Sequence, residues 1–194
     1  MAWDTERTKQ LLLDAATAEF SLYGLAGARI DRIASSAGVN KERIYQYFGK
    51  KDELFGIVLA RQLAAVMEQV VIEGDGVDAI VHYAGRVFDY QVQHPELSRL
   101  TFWEGLERDE PTALAARSAA ARGKVERLRQ ALPTISETDA QELFTTVLTL
   151  CDGWQVLANL DRIYTGTTTR TAARNAARRA AVLAAVEAFT RTLI

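Results

Sequence analysis

Residues 30–50 read IDRIASSAGVNKERIYQYFGK, and this stretch decides the fold. Ile30, Ile33, Ala34 and Ala37 recur at i, i+3, i+4 and i+7, the period of one helical face, so a short helix is expected over about 30–37. Gly38 stops it. Asn40 is a good cap for a second short helix, about 41–47, which carries Ile44, Tyr45 and Phe48 and is broken by Gly49. Two short helices across Ala37-Gly38-Val39-Asn40 make a helix-turn-helix. A steep crossing over a tight turn needs a backbone conformation that side chains oppose, which Gly38 supplies. Ile33, Ala34, Val39 and Ile44 are expected to fill the angle between the helices. Lys41, Glu42, Arg43, Tyr45, Gln46 and Tyr47 are left to face a major groove. Arg43 and Gln46 have the best reach to base edges. Glu42 has three readings: accepting from a cytosine amino group, repelling wrong sites, or capping the helix. Tyr45 and Phe48 are expected to pack the small core as well as, or instead of, touching DNA. Tyr47 is expected at the backbone.

Outward from this stretch the period stays helical. Leu12, Ala15, Ala16 and Phe20 lie on one face of a helix over 5–22, which ends at Tyr23-Gly24. Downstream, Asp52-Glu53 suit the positive end of a long helix that runs to about Ile72. After Gly74-Asp75-Gly76, helices are expected at 77–93 (Ile80, Ala84, Val87 and Phe88 inward), 96–107, from Pro111 to about 130, 137–161 and 170–193. Ser136-Glu137-Thr138-Asp139 resembles a capping box with Asp in place of Glu. No period-two alternation or hairpin signal is present. The reading is all-α, about nine helices: a three-helix DNA-binding domain over 1–50, a connecting helix over 51–72, and a helical ligand-binding and dimerisation domain over 73–194.

Composition narrows the classes. The chain has 194 residues, enough for one domain or two small ones. Its net charge is −2, which gives no bulk attraction to polyanions; residues 1–62 hold 9 Lys/Arg against 8 Asp/Glu and the remainder 14 against 17. The single cysteine, Cys151, excludes an internal disulfide framework and a thiolate zinc site, and His82 and His94 lack metal-ligand spacing. No apolar run reaches the ~18 residues of a membrane span, and Met1–Glu6 show no apolar leader, so the cytoplasm is the expected compartment. Phosphate-cradling glycine motifs, His-Glu-x-x-His and Gly-x-Ser-x-Gly are absent, which leaves no catalytic residue, cofactor or metal to name.

Residues 12–59 resemble the DNA-binding segment of the tetracycline-repressor (TetR) family. The resemblance rests on Leu13-Asp14-Ala15-Ala16, Phe20, Gly24, Ile33-Ala34, Ala37-Gly38-Val39, Ile44-Tyr45-Gln46-Tyr47-Phe48 and Lys51-Asp52-Glu53-Leu54, in matching order and spacing. It implies a homodimer on double-stranded operator DNA, two recognition helices in successive major grooves, and a divergent C-terminal domain for a small-molecule effector. It also implies phosphate contacts for Lys41 and Lys51. The family usually opens its second helix with Thr-Thr or Thr-Ser. Here Ala28 and Arg29 stand there, so the hydroxyl cap is gone and Arg29 is expected at the phosphate instead. Asn40 replaces a frequent Ser, and both cap well.

In the remainder, Tyr90, Phe102, Trp103, Cys151, Trp154 and Gln155 are the candidate ligand residues, suited to an apolar or amphipathic organic molecule. Glu104 and Glu107 are expected on a solvated face, and Arg174 and Arg178 in solvent. The family pairs its last two helices with their symmetry mates. Here that implies Leu143, Val147, Leu150 and Trp154 in one helix, and Ala177, Ala181, Ala184, Ala188 and Phe189 in the other. Two other functions stay open at this point: an all-α enzyme with an incidental helix-turn-helix, and a helical interaction module that has lost DNA binding. Ala28-Arg29 keeps the second alive.

Overall fold

The protein is described here by a computed structural model covering residues 2–194; Met1, the first residue of the stretch read for a leader, lies outside them. The described residues form ten helices: α1 Ala2–Gly27, α2 Ile30–Ala37, α3 Glu42–Phe48, α4 Lys51–Gln69, α5 Gly76–Gln93, α6 Pro95–Glu107, α7 Leu114–Ala131, α8 Glu137–Val156, α9 Ala158–Thr165 and α10 Ala172–Thr192. None is long and apolar enough to cross a membrane. The chain is all-α. It divides into two compact units, one of residues up to 65 with 96–114, the other of 66–95 with 115–194. The grouping takes most of α6 into the N-terminal unit.

In the first unit Leu12, Ala16 and Phe20 of α1, Ile33 of α2, Ile44 of α3, and Leu54, Phe55, Val58 and Leu59 of α4 are fully buried. Each large side chain removed from water contributes about 1.5–3 kcal/mol. The Phe20 and Phe55 rings meet edge to face at 5.3 Å. Ile33, Ala34 and Ile44 fill the helix-turn-helix angle as the spacing predicts, whereas Val39 is half-buried. Tyr45 and Phe48 part company: Phe48 is buried, and Tyr45 is 53% exposed.

The second unit is built on α5, α8 and α10. Ile80, Ala84, Val87 and Phe88 face inward, meeting Leu143, Val147, Cys151 and Trp154 of α8 and Val182, Val186 and Thr190 of α10. This corrects the expected dimer surface on α8. Leu143, Val147 and Trp154 are spent on the chain's own core, because α8 needs one apolar stripe to pack on α5 and α10; Leu150, the fourth residue of that expectation, is half-buried. On α10 Ala177, Ala181, Ala184 and Ala188 remain exposed, and Phe189 is half-buried.

Besides α1, which runs across a kink at Gly24 to Gly27, three boundaries differ from the sequence reading by more than a residue or two. The helix expected over 137–161 breaks at Leu157, whose backbone leaves helical geometry four residues after Gly153. The short α9 that follows turns Leu160, Ile163 and Tyr164 outward. Helix α4 ends at Gln69, not Ile72. Its last carbonyls go to cations: Arg86 donates to Gln69 O (2.7 Å) and the Lys124 ammonium to Val70 O, a favourable use of positive charge at a helix C-terminus. Helix α7 starts at Leu114, because Ala113 at φ +53° lies outside right-handed helical geometry; just before it, Thr112 N–H is held by Glu104 Oε1 at 2.7 Å. At α8, Ser136 Oγ accepts from Asp139 N–H (3.1 Å), as a cap should, but it donates to Asp139 Oδ2 (2.6 Å) instead of leaving that carboxylate to its own backbone.

Candidate nucleic-acid interface

The turn between α2 and α3 is made by Gly38 at φ +65°, ψ +30°. Val39 N–H reaches Ala34 O (3.0 Å) and Gly38 N–H reaches Ser35 O (3.2 Å), so the end of α2 is closed by the chain that leaves it. Asn40 Oδ1 accepts Glu42 N–H at 3.2 Å and caps α3. With Ile44 and Phe48 inward, Lys41, Glu42, Arg43, Tyr45 and Gln46 are exposed around the rest of the helix and Tyr47 is half-exposed. Arg43 lies along its own helix, donating to Gln46 Oε1 and Tyr47 Oη at 3.2 Å each. These bonds pre-align three of the expected DNA-contacting side chains. Lys41 Nζ stands 3.4 Å from Asp31 Oδ1 with both groups more than half exposed, a pairing too weak to withhold the lysine from a phosphate. Lys51 is half-buried and donates to Ala26 O and Ala28 O at 3.3 and 3.2 Å, so it ties the start of α4 to the α1–α2 junction.

The hydroxyl cap of α2 is missing, and the start of the helix is held from α1 instead, through the cap residue's own N–H. Arg29 caps α2 without a side-chain bond; its N–H goes to Glu19 Oε1 at 2.8 Å. The same buried carboxylate takes Arg32 Nε at 2.7 Å, and Arg32 lies over the Tyr23 ring at 4.2 Å. The Arg29 side chain is left exposed. Glu19 was not singled out from sequence. Its signal was indirect: a carboxylate beside Phe20 on the buried face of α1, and an acceptor lost at Ala28-Arg29.

A second unforeseen carboxylate, Glu107, sits at the kink of α1, where Gly24 has φ +68° and ψ −175°. Glu107 of α6 accepts the N–H groups of Leu25 and Ala26, restarting the helix as a cap would. Trp103 donates its indole N–H to Ser21 O (3.2 Å). A Cβ at Gly24 would lie 2.8 Å from the Trp103 ring and 2.6 Å from Glu107 Oε1. Glycine is required there twice, for its backbone angle and for this close approach. Glu104 is likewise not on a solvated face: it is buried, with Thr112 N–H on its carboxylate. A helix period cannot show which side of α6 meets α1.

The six candidate ligand residues are not gathered at one place. Phe102 is 38% exposed and Trp103 serves the α1 kink, both in the first unit. Tyr90, Cys151, Trp154 and Gln155 belong to the second, where α5 and α8 are joined by Gln91 Nε2 donating to Asp152 Oδ1 at 2.7 Å. Tyr90 is buried against His94 at 4.4 Å between rings, and burial raises its phenol above the usual range. Cys151 is fully buried, its Sγ 3.8 Å from Ala84 O. Burial and then Asp152 push the thiol up to about 12, so it stays protonated and inert. Trp154 donates to Asn175 Oδ1 at 3.0 Å, and Gln155 Nε2 is buried without an acceptor. A groove of about 300 Å³ lies elsewhere in this unit, between α5 and α10, lined by Asp78, His82, Arg179 and Glu187 among others. Among the described residues no group of His, Cys, Asp or Glu is arranged to hold a metal ion.

Residues 12–57 match the family described as bacterial regulatory proteins, tetR family, and residues 79–188 match the tetracyclin repressor-like C-terminal domain. The chain is 46% identical over 106 residues to the HTH-type transcriptional repressor SCO4008 of Streptomyces coelicolor, a match covering 55% of this chain and 54% of that protein. It is 30% identical over 171 residues to the HTH-type transcriptional repressor NicS of Pseudomonas putida, covering 84% and 78% of the two. Among solved structures it resembles SCO4942 of Streptomyces coelicolor, with a TM-score of 0.76, 32% identity, and 93% and 97% of the two chains covered.

Proposed function

The chain belongs to the TetR family of bacterial regulatory proteins, and we propose that it is a homodimeric repressor that binds a palindromic operator through α3 and leaves it when a small organic effector binds. The observation that carries this reading is the exposed polar side of α3, with Lys41, Glu42, Arg43, Tyr45 and Gln46 around the helix away from a sealed core of Ile44 and Phe48, on a helix capped by Asn40. Such a helix spends its apolar side on the fold and keeps its polar side for a groove. Arg43 and Gln46 read base edges; Arg29, Lys41 and Tyr47 meet the backbone, and Lys51 adds positive charge beside it. Two copies, joined through the C-terminal helices with the exposed alanines of α10 at the contact, set two recognition helices one turn of DNA apart. The effector is held in the second unit, with Tyr90, Trp154 and Gln155 as its candidate contacts. An effector acts only if it prefers a conformation in which α3 is misplaced; a coupling of ~1–3 kcal/mol changes operator affinity roughly 5–150-fold. Trp103 and Glu107 hold the α1 kink ahead of α2 and are the residues through which displacement of α6 would be felt by the reading head.

The test is fluorescence anisotropy with DNA from upstream of the protein's own gene, against a scrambled duplex of equal length, over a salt series. A repressor of this kind binds the first at least 10³-fold more tightly than the second at physiological salt. Equal affinity for both duplexes sinks the reading.

A further inference from the structure

Arg170, Arg174 and Arg178 surround the indole of Trp154, with guanidinium carbons 3.8, 4.8 and 5.9 Å from the ring centroid. Sequence periodicity puts Arg174 and Arg178 in solvent; the structure turns them inward, and all three are half-buried. The carboxylate that answers them is Asp161 of α9, itself only 5% exposed. Arg174 consumes it, donating to Oδ1 from Nε (3.1 Å) and Nη2 (2.6 Å). Arg170 keeps only a long contact to it, Nε 3.5 Å from Oδ2, and its Nε and Nη2 are shielded from water without a well-formed hydrogen bond. Arg178 Nε is in the same condition. Among the described residues Asp161 is the carboxylate within 4 Å of Arg170 and Arg174, and it answers two guanidinium groups at once.

Placement makes the imbalance worse. Arg170 precedes α10, and Arg174 and Arg178 occupy its first two turns, where the helix dipole favours anions and opposes cations. Burial pushes Arg170 below the usual arginine range, and the neighbouring Arg174 and Arg178 push the same way, against the pull of Asp161. Stacking on an indole offsets part of this, but it leaves the in-plane N–H groups of a guanidinium free. Those groups form a planar fork that fits the two oxygens of a carboxylate or phosphate.

We propose that Arg170 and Arg178, stacked around Trp154 beside the start of α10, form a binding site for an oxyanion, the carboxylate of an organic acid or a phosphate, which completes the charge balance that Asp161 leaves unfinished. The site does not depend on the operator reading, and its test uses no DNA.

The full-length protein is titrated with sodium benzoate and with inorganic phosphate, each against sodium chloride at equal ionic strength. Calorimetry counts sites, and the part of the tryptophan fluorescence lost in Trp154→Phe reports occupancy. Saturable binding of one anion per chain is expected, weakened at least tenfold in Arg170→Gln and in Arg178→Gln. Benzoate alone would identify an organic carboxylate as the ligand, phosphate alone an inorganic or phosphorylated one. A second readout is thermal unfolding. In anion-free buffer Arg178→Gln melts no lower than the wild type, since it removes a charge that lacks a partner, and the anion raises the wild-type melting temperature only. Binding no stronger than chloride, or binding that survives both substitutions, overturns the proposal. So does a fall in the Arg178→Gln melting temperature accompanied by dissociation of a dimer, which would assign the arginines to carboxylates of a second copy.

Discussion

At the residue scale, folding and reading are divided between adjacent side chains of α3. Ile44 is fully buried and Arg43 beside it is exposed. Ile44→Ala should cost about 2–5 kcal/mol of stability and lose DNA binding through unfolding. Arg43→Ala should leave the melting temperature within a degree or two. It should cost ~1–3 kcal/mol of operator affinity and relax preference at one base pair. Lys41→Ala should instead weaken operator and random DNA alike and flatten the slope of log affinity against log salt by ~1. An Arg43→Ala protein that loses affinity equally for operator and random DNA would move base reading elsewhere. Lys124 supplies a prediction about stability. Burial, with Arg86 adding repulsion, lowers its ammonium to about 8 from 10.5 while it donates to Val70 O above the Tyr83 ring. Between those two values the unfolded chain still binds a proton that the folded chain has released, so this group's contribution to stability rises with pH. Cys151 and Tyr83, with values raised by burial, act in the opposite direction above about 9 and 10. The melting temperature of the wild type relative to Lys124→Met should therefore increase from pH 7.5 to pH 10, a comparison in which Cys151 and Tyr83 cancel. A flat difference would show that the ammonium is hydrated like a surface lysine.

At the element scale, the joint between α1 and α2 is held by side chains from outside it. Glu107 lies 81 and 82 positions from the N–H groups it takes, and Glu19 is 10 positions from Arg29. Glu107→Ala leaves Leu25 and Ala26 N–H without acceptors at a part-buried kink, a loss of about 1–3 kcal/mol. Operator affinity should drop at least tenfold while far-UV ellipticity and the α3 side chains stay intact; Glu110→Ala, on an exposed loop, is the matched control. Wild-type affinity in Glu107→Ala would mean that α6 only covers α1 and does not position it. The same contacts explain what the sequence made legible. Ile30, Ile33, Ala34, Gly38 and Ile44 encode their helices by local period and a local stop, so the helix-turn-helix could be read from 21 residues. Caps supplied from another helix leave no periodic trace. Arg174 and Arg178 show the same limit: i, i+4 spacing says that two side chains share a face, not whether that face meets water or an indole. The break at Leu157 was hidden because apolar residues continue through α9, and nothing local says that Leu160 and Ile163 point away from the core.

For the whole molecule, the decisive property is the number of recognition helices presented to DNA at once. One α3 offers Arg43 and Gln46 as base readers, and at ~1–3 kcal/mol per good contact that is too little to pick one site from a genome. A two-fold dimer doubles the contacts and fixes their spacing at one helical turn, about 34–36 Å. The α8 stripe is already used inside the chain, so the contact is assigned to the outer face of α10. There Ala177, Ala181, Ala184 and Ala188 follow one another at helical spacing, all exposed. Small side chains let two helices approach closely, and in a two-fold interface each substituted residue is met by, or lies near, its own copy. Ala181→Glu therefore places two carboxylates in a closing interface with no cation opposite. Burying an unpaired charge costs several kcal/mol, more than most homodimers of this size can lose. Within one chain position 181 is exposed, so the monomer should keep its fold, its ellipticity and its weak affinity for random DNA. Sedimentation velocity should show a single species of about 21.5 kDa. Binding to the full palindrome should fall to the level of a half-site, while Ala181→Ser stays dimeric and binds as the wild type does. If Ala181→Glu remains a dimer with unchanged operator affinity, the two copies meet on a face other than that of α10.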